Sequence, residues 1–203
     1  MPRKAYSQKE KEIVREKLIQ CGLQLMASQG IAHTTVEQVY QHVGISRTFF
    51  YSFFKSKEDL IVEALYLQQP NIIAYLNELM KDSTLSWREA VTQFLTTCCY
   101  GEQNGIIILT LEEQQALFKH LSNESYQYFR AKQRALFQQI LSCMNVHSDN
   151  QTVGLFTNLI LSLLVVHKAI PHSLPFLVPE AADATITFQI NALVNALERL
   201  KLS

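Results

Sequence analysis

Glycine and proline are scarce in this chain, with six and five among 203 residues. Runs that alternate apolar and polar residues are also missing, and apolar residues recur instead three and four positions apart. These shortages exclude a sandwich or barrel of short strands joined by frequent turns, and they predict an all-α protein. The four cysteines, Cys21, Cys98, Cys99 and Cys143, show no C-x-x-C spacing, which argues against both a zinc site and a disulfide framework. Neighbours on a helix point about 100° apart, so Cys98 and Cys99 are poorly placed to bond to each other. The histidines lack metal-ligand spacing, and no metal is expected. The sequence has no Gly-rich phosphate loop, no nucleophile elbow and no evident pair of catalytic carboxylates, so neither a cofactor nor enzymatic activity is expected.

Long apolar runs are absent too. The longest, Val153 to Val166, is interrupted by Gly154, Thr157, Asn158 and Ser162 and falls short of a bilayer span. The opening MPRKAYSQKEKE lacks the apolar centre of a signal peptide. The expectation is a cytoplasmic protein with reduced thiols and no membrane partner. Neither charge sign prevails, since 18 Lys and Arg balance 18 Asp and Glu. The distribution is uneven, however. Met1 to Lys57 holds nine basic and four acidic residues, and the remainder holds nine and fourteen. A basic head on a mildly acidic body suits a nucleic-acid partner.

Helix starts recur as S/T-x-x-E/D, where a hydroxyl caps the first turn and an acid favours its dipole. Ser7 to Glu10, Thr34 to Glu37, Ser56 to Asp59 and Ser86 to Glu89 all fit. About nine helices are predicted. The first runs from Ser7 to Ser28 and stops at Gly30, with Val14, Leu18, Cys21 and Leu25 as its apolar stripe. Val36–Val43, Arg47–Phe54 and a helix from Lys57 to Pro70 follow, then Trp87–Tyr100, Ile106–His120, Glu124–Met144, Thr152–His167 and Glu180–Leu200. This pattern divides into a three-helix head at 1–56 and a larger helical-bundle body at 57–203.

The segment from Thr34 to Leu60 carries the chemistry. Two short helices flank a turn at Gly44-Ile45-Ser46, the pattern of a helix-turn-helix that lays its second helix in the major groove. Phe50, Phe53 and Phe54 share one side of that helix and are expected to pack on Val36, Val39 and Val43. Ser46 caps it. Arg47, Thr48, Phe49, Tyr51 and Ser52 remain for DNA. Arginine pairs with guanine, hydroxyls reach base edges or phosphate, and a phenyl ring can cover a thymine methyl.

These residues resemble TetR-family transcriptional regulators. The resemblance is carried by Thr35, Val39, Val43, Gly44, Ile45, Ser46, Arg47, Phe50, Tyr51, Phe54, Ser56, Lys57, Glu58 and Leu60, and it covers the first third of the chain. It implies that Thr35 caps the second helix and grips phosphate together with Tyr51 and Lys57, that Arg47, Thr48, Phe49 and Ser52 face bases, and that Arg3 and Lys4 form a basic arm. The chain departs from the family pattern in three places. Thr48-Phe49 replaces the frequent Gly-Thr, Phe53 replaces His or Tyr, and Tyr40 replaces a small Ala. Tyr40 must therefore splay the two helices or swing out and touch DNA.

The body carries two further signals. Phe156, Ile160, Leu163 and His167 in one helix, and Ile186, Ile190, Leu193 and Leu197 in the last, follow the three-four spacing of a bundle seam. A homodimer through these faces is expected, and the resemblance implies the same. A monomer with a well-covered core is the other reading. Phe94, Cys98, Phe118, Tyr126, Phe129, Phe137 and Phe156 could line an apolar cavity or simply form core. A small apolar or aromatic effector suits that lining. The expected function is a homodimeric, ligand-responsive repressor of a palindromic operator in double-stranded DNA. The alternative is a helical scaffold or adaptor that keeps the head fold without specific DNA binding.

Overall fold

The computed structural model describes residues 6–100, 106–170 and 174–202. Among these the chain is helical and has no sheet, with one isolated bridge between Val146 and Lys201. The helices are α1 (Gln8–Gln29), α2 (Val36–Val43), α3 (Arg47–Phe50), α4 (Lys57–Lys81), α5 (Trp87–Cys99), α6 (Leu111–His120), α7 (Asn123–Cys143), α8 (Asn150–Ala169) and α9 (Ala182–Glu198). A 3₁₀ turn at Pro179–Ala181 leads into α9.

Capping sets most of the starts. Ser7 Oγ accepts from the Glu10 N–H, and the Glu10 carboxylate accepts from the Ser7 N–H at 2.8 Å. Ser86 and Glu89 make the same reciprocal box at α5. At α2 the cap is Thr35, as the resemblance implies, rather than the Thr34 of the S/T-x-x-E spacing. Its Oγ1 accepts from the Gln38 N–H at 3.1 Å, and Gln38 Oε1 accepts from the Thr35 N–H at 2.7 Å. Thr34 is buried, and its hydroxyl donates to the Gly30 carbonyl at 2.8 Å.

Three predicted boundaries and one expected length are corrected. The α-helical part of the third head helix, α3, ends at Phe50, and turn bonds from the Ser52, Phe53 and Phe54 N–H groups carry the chain on to Phe54. Helix α4 passes through Pro70 instead of stopping there. Proline removes one backbone bond, but Leu60, Ile61, Ala64 and Leu65 before it and Leu76 and Leu79 after it are buried, and that burial outweighs the break. Helix α6 begins after Thr110, which caps it with Glu113, so residues 106–110 are not helical. Helix α8 is 20 residues long and, by length and composition, apolar enough to cross a bilayer, which corrects the expectation of a run too short to span.

The chain divides within α4 into two compact units, one ending at Gln68 and the other starting at Gln69. In the first, Leu18, Ile19 and Met26 of α1 are buried, as are Ile31, Val39, Phe50, Phe54 and Leu60. The buried stripe of α1 is turned from the predicted one. Ile19 and Gly22 join Leu18 and Met26, while Val14, Cys21 and Leu25 are half-buried. In the second unit, α5, α7, α8 and α9 share one core that includes Phe94, Leu141, Phe156 and Val194. Its ends are tied by three bonds. Trp87 Nε1 donates to the Met144 carbonyl at 2.7 Å, the His147 N–H to Leu200 at 2.9 Å, and the Leu202 N–H to Asn145 at 2.8 Å.

Candidate nucleic-acid interface

The turn between α2 and α3 depends on Gly44, whose φ of 75° and ψ of 33° lie in the left-handed region. A side chain is disfavoured there, so glycine ends α2 without strain. The Gly44 N–H donates to Gln41 and the Ile45 N–H to Tyr40, both at 3.0 Å. Ser46 then caps α3, its Oγ accepting from the Phe49 N–H at 3.2 Å. Inside, Phe50 and Phe54 are buried with ring centres 5.5 Å apart. Outside, Arg47, Thr48 and Ser52 are exposed.

Several of these groups are already engaged within the protein. The Arg47 guanidinium lies 5.8 Å from the centre of the partly exposed Tyr51 ring. Ser52 Oγ donates to the Phe49 carbonyl at 2.6 Å, which leaves the hydroxyl oxygen as an acceptor. Lys57 Nζ donates to the Ile31 carbonyl at 2.6 Å and so ties the start of α4 to the loop before α2. At the start of α4, Ser56 Oγ accepts from the Asp59 N–H at 3.1 Å, and Asp59 accepts from the Lys55 N–H at 2.9 Å. Arg15 of α1 bridges to Glu63 of α4 at 2.9 Å and lies 5.5 Å from the Phe54 ring centre. Tyr40 is half-buried, and Val39 beside it takes the fully buried place. Thr35 is exposed. Arg3 and Lys4 lie outside the described residues.

Two aromatic expectations change. Phe53 does not join Phe50 and Phe54 in full burial; it is half-buried and meets the edge of Phe49 at 5.0 Å. Phe49, read as free for a thymine methyl, is half-buried, and Tyr6 stacks on it at 4.5 Å. Tyr6 lies outside the residues singled out from the sequence. Its signal was an aromatic residue directly before the helix cap Ser7.

The seam positions of the body are also reassigned. Phe156, Ile160, Leu163, Ile186, Ile190, Leu193 and Leu197 are all buried in the chain's own core. Their spacing therefore marks the inward faces of α8 and α9. His167 is half-buried against the Tyr100 ring at 4.6 Å. Burial holds its imidazole below the usual histidine range, opposed by Asp183 and the Cys99 backbone. The outward faces keep Leu155 at 53% and Phe188 at 73% exposure, with Leu159 also exposed. Of the residues expected around a cavity, Phe94, Cys98, Phe137 and Phe156 belong to the main core. Phe118, Tyr126 and Phe129 form a separate group, with Phe118 5.2 Å from Tyr126 and 5.9 Å from Phe129.

Residues 18–64 match the family described as bacterial regulatory proteins, tetR family. An HTH-type transcriptional regulator of Bacillus subtilis (strain 168), YerO, whose function is uncharacterized, is 40% identical over 50 residues. That match spans 25% of this chain and only 17% of the relative. Two solved structures are similar along nearly the whole chain. A TetR-family transcriptional regulator from Pectobacterium atrosepticum aligns with a TM-score of 0.60 at 15% identity, over 98% of this chain and 99% of that one. A TetR-family regulator from Cytophaga hutchinsonii aligns with a TM-score of 0.63 at 10% identity, over 98% and 100%. At such identities these structures establish the shared fold. The head carries the sequence match.

Proposed function

We propose that this chain, a TetR-family transcriptional regulator by its head sequence and its fold, represses transcription by binding a palindromic operator as a homodimer in the cytoplasm. Residues 1–56 serve as the DNA-binding domain and 57–203 as the effector and dimerisation domain. The observation that carries this reading is the two-sided segment Ser46–Phe54. Phe50 and Phe54 anchor it inward, and Arg47, Thr48 and Ser52 face out. Arg47 reads a base, and Thr48 and Ser52 reach base edges or phosphate. Thr35, Tyr51 and Lys57 hold phosphates, and Arg3 and Lys4 serve as a basic arm. Tyr40 adds a contact from α2.

A small apolar or aromatic effector is the proposed signal, held at the Phe118, Tyr126 and Phe129 rings. The partly exposed Phe118 supports this choice over the core aromatics. The effector can act only by binding the DNA-competent and released arrangements with different affinity. Helix α4, which belongs to both units, is the element on which that difference acts.

Selection of bound duplexes from a random pool tests the DNA reading. The protein enriches a two-fold-symmetric sequence, and its affinity for that sequence falls steeply as salt rises. Binding that ignores both sequence and salt returns the chain to the scaffold reading.

A further inference from the structure

A four-residue helix has little stability of its own, because nucleation fixes several residues for one hydrogen bond. The orientation of α3 must therefore come from what its side chains touch. The inner contacts are Phe50 and Phe54. The outer contact is an aromatic row in which Tyr6 stacks on Phe49 at 4.5 Å with planes 30° apart, and Phe49 meets the edge of Phe53 at 5.0 Å.

Tyr6 immediately precedes Ser7, the cap of α1. An apolar residue at that position ordinarily packs on the fourth residue of its own helix. Here that residue is the exposed Lys11, which offers no apolar partner. The Tyr6 ring lies instead against Phe49, one residue from Thr48 and two from Arg47. The capping box at Ser7 and Glu10 fixes the backbone from which the ring projects. Tyr6 keeps 46% exposure, so its ring contributes by contact with α3 rather than as a member of the buried core.

We propose that Tyr6 is a positioning residue for DNA recognition: its stack on Phe49 sets the orientation of α3 and so the aim of Arg47 and Thr48. The proposal rests on the DNA-binding reading above. It also gives Phe49 a purpose other than base contact. Phe49 transmits the position of α1 to the reading surface.

The test uses the full chain, a duplex enriched by the wild-type protein from a random pool, and a scrambled duplex of the same composition. Tyr6→Phe keeps the stack and removes only the hydroxyl. Tyr6→Leu keeps apolar bulk and removes the stack, and Tyr6→Ala removes both. Tyr6→Phe should bind as wild type. Tyr6→Ala and Tyr6→Leu should lose roughly three- to tenfold in affinity for the selected duplex, the range of one aromatic pair. Affinity for the scrambled duplex and the slope of binding against salt should not change, because no phosphate contact is removed. In a Phe49→Leu background the Tyr6→Leu effect should vanish, since the two rings act as a pair.

Three outcomes overturn the proposal. The first is that Tyr6→Ala and Tyr6→Leu both match wild type on the selected duplex. Tyr6→Phe could be as weak as Tyr6→Ala, which would make the hydroxyl the active group. Equal losses on both duplexes would mean a general loss of binding. A wild-type protein that enriches no sequence overturns the DNA reading itself. Enrichment by wild type with no Tyr6 effect overturns this inference alone.

Discussion

A β-carbon built on Gly22 stands 3.1 Å from Leu60 Cδ2 and 3.2 Å from Leu60 Cγ. Gly22 is buried on α1 and Leu60 is fully buried on α4, so neither side has open space into which to yield. Glycine at a helix interior costs about 1 kcal/mol against alanine in propensity alone. Its presence here is explained by the closeness of the two helices. Gly22→Val puts two further methyl groups into that contact and should destabilise the protein by about 2 kcal/mol, within the range for overpacked cores. Urea unfolding followed by circular dichroism measures this. A midpoint equal to wild type would show that the contact is slack.

The tight α1–α4 approach illustrates what the sequence made legible and what it hid. Caps and stops are local, and Ser7, Gly30, Ser46 and Ser86 were readable because each acts on its own first or last turn. Pro70 is a local stop signal, but the burial that carries α4 past it is tertiary. The spacing in α8 and α9 was real, but spacing cannot say whether a face meets its own chain or another. Phe156, Ile160 and Leu197 meet their own. In the head, alternation of inward and outward residues gave Phe50, Arg47 and Thr48. The Tyr6–Phe49 stack joins residues far apart in sequence, and only the folded chain reveals it.

Arg47 and Lys57 should behave differently when truncated. Arg47 is exposed, and its guanidinium rests near Tyr51. Arg47→Ala should relax preference at one base position of each half-site, by about 1–3 kcal/mol. Lys57→Ala should weaken binding to every sequence and lower the salt slope. It should also lower the unfolding midpoint, because Lys57 Nζ holds the Ile31 carbonyl at 2.6 Å. Binding to a panel of single-base variants, with parallel thermal melts, separates the two. An equal loss from Arg47→Ala across the whole panel would remove it from base reading.

Cys98 and Cys99 should be inert toward thiol reagents in the folded protein. Burial pushes the Cys98 thiol up to about 12, with Cys99 beside it adding to the rise, and burial pushes Cys99 up to about 11. The thiolate is the reactive form, and it is scarce at neutral pH for both. In the unfolded chain thiols ionise near pH 8.5. Stability linked to these groups is therefore fully present below that value and falls as pH rises toward their folded values. Alkylation at pH 7.5, read by mass spectrometry, should be roughly 100-fold or more slower at these sites than for free cysteine. Fast labelling of either site before unfolding would sink this account.

The outward faces of α8 and α9 predict where a second copy would attach. The inward seam is fully used, yet Leu155, Leu159 and Phe188 remain in solvent. Single exposed apolar residues are ordinary, but these fall on two helices, α8 and α9, that pack directly on one another. A two-fold interface uses the same patch on both copies, so one substitution introduces two charges. Leu155→Glu and Phe188→Asp should each convert a dimer to a monomer at micromolar concentration, as read by sedimentation equilibrium. Ile160→Ala and Leu193→Ala, in the packed core, should instead lower stability by about 2–5 kcal/mol and leave association in the still-folded protein largely unchanged. The reverse pattern, in which the core variants dissociate the dimer and the surface charges do not, would place the contact elsewhere. A two-fold operator requires the dimer, so Phe188→Asp should also lose affinity for the symmetric duplex while keeping weak affinity for a half-site.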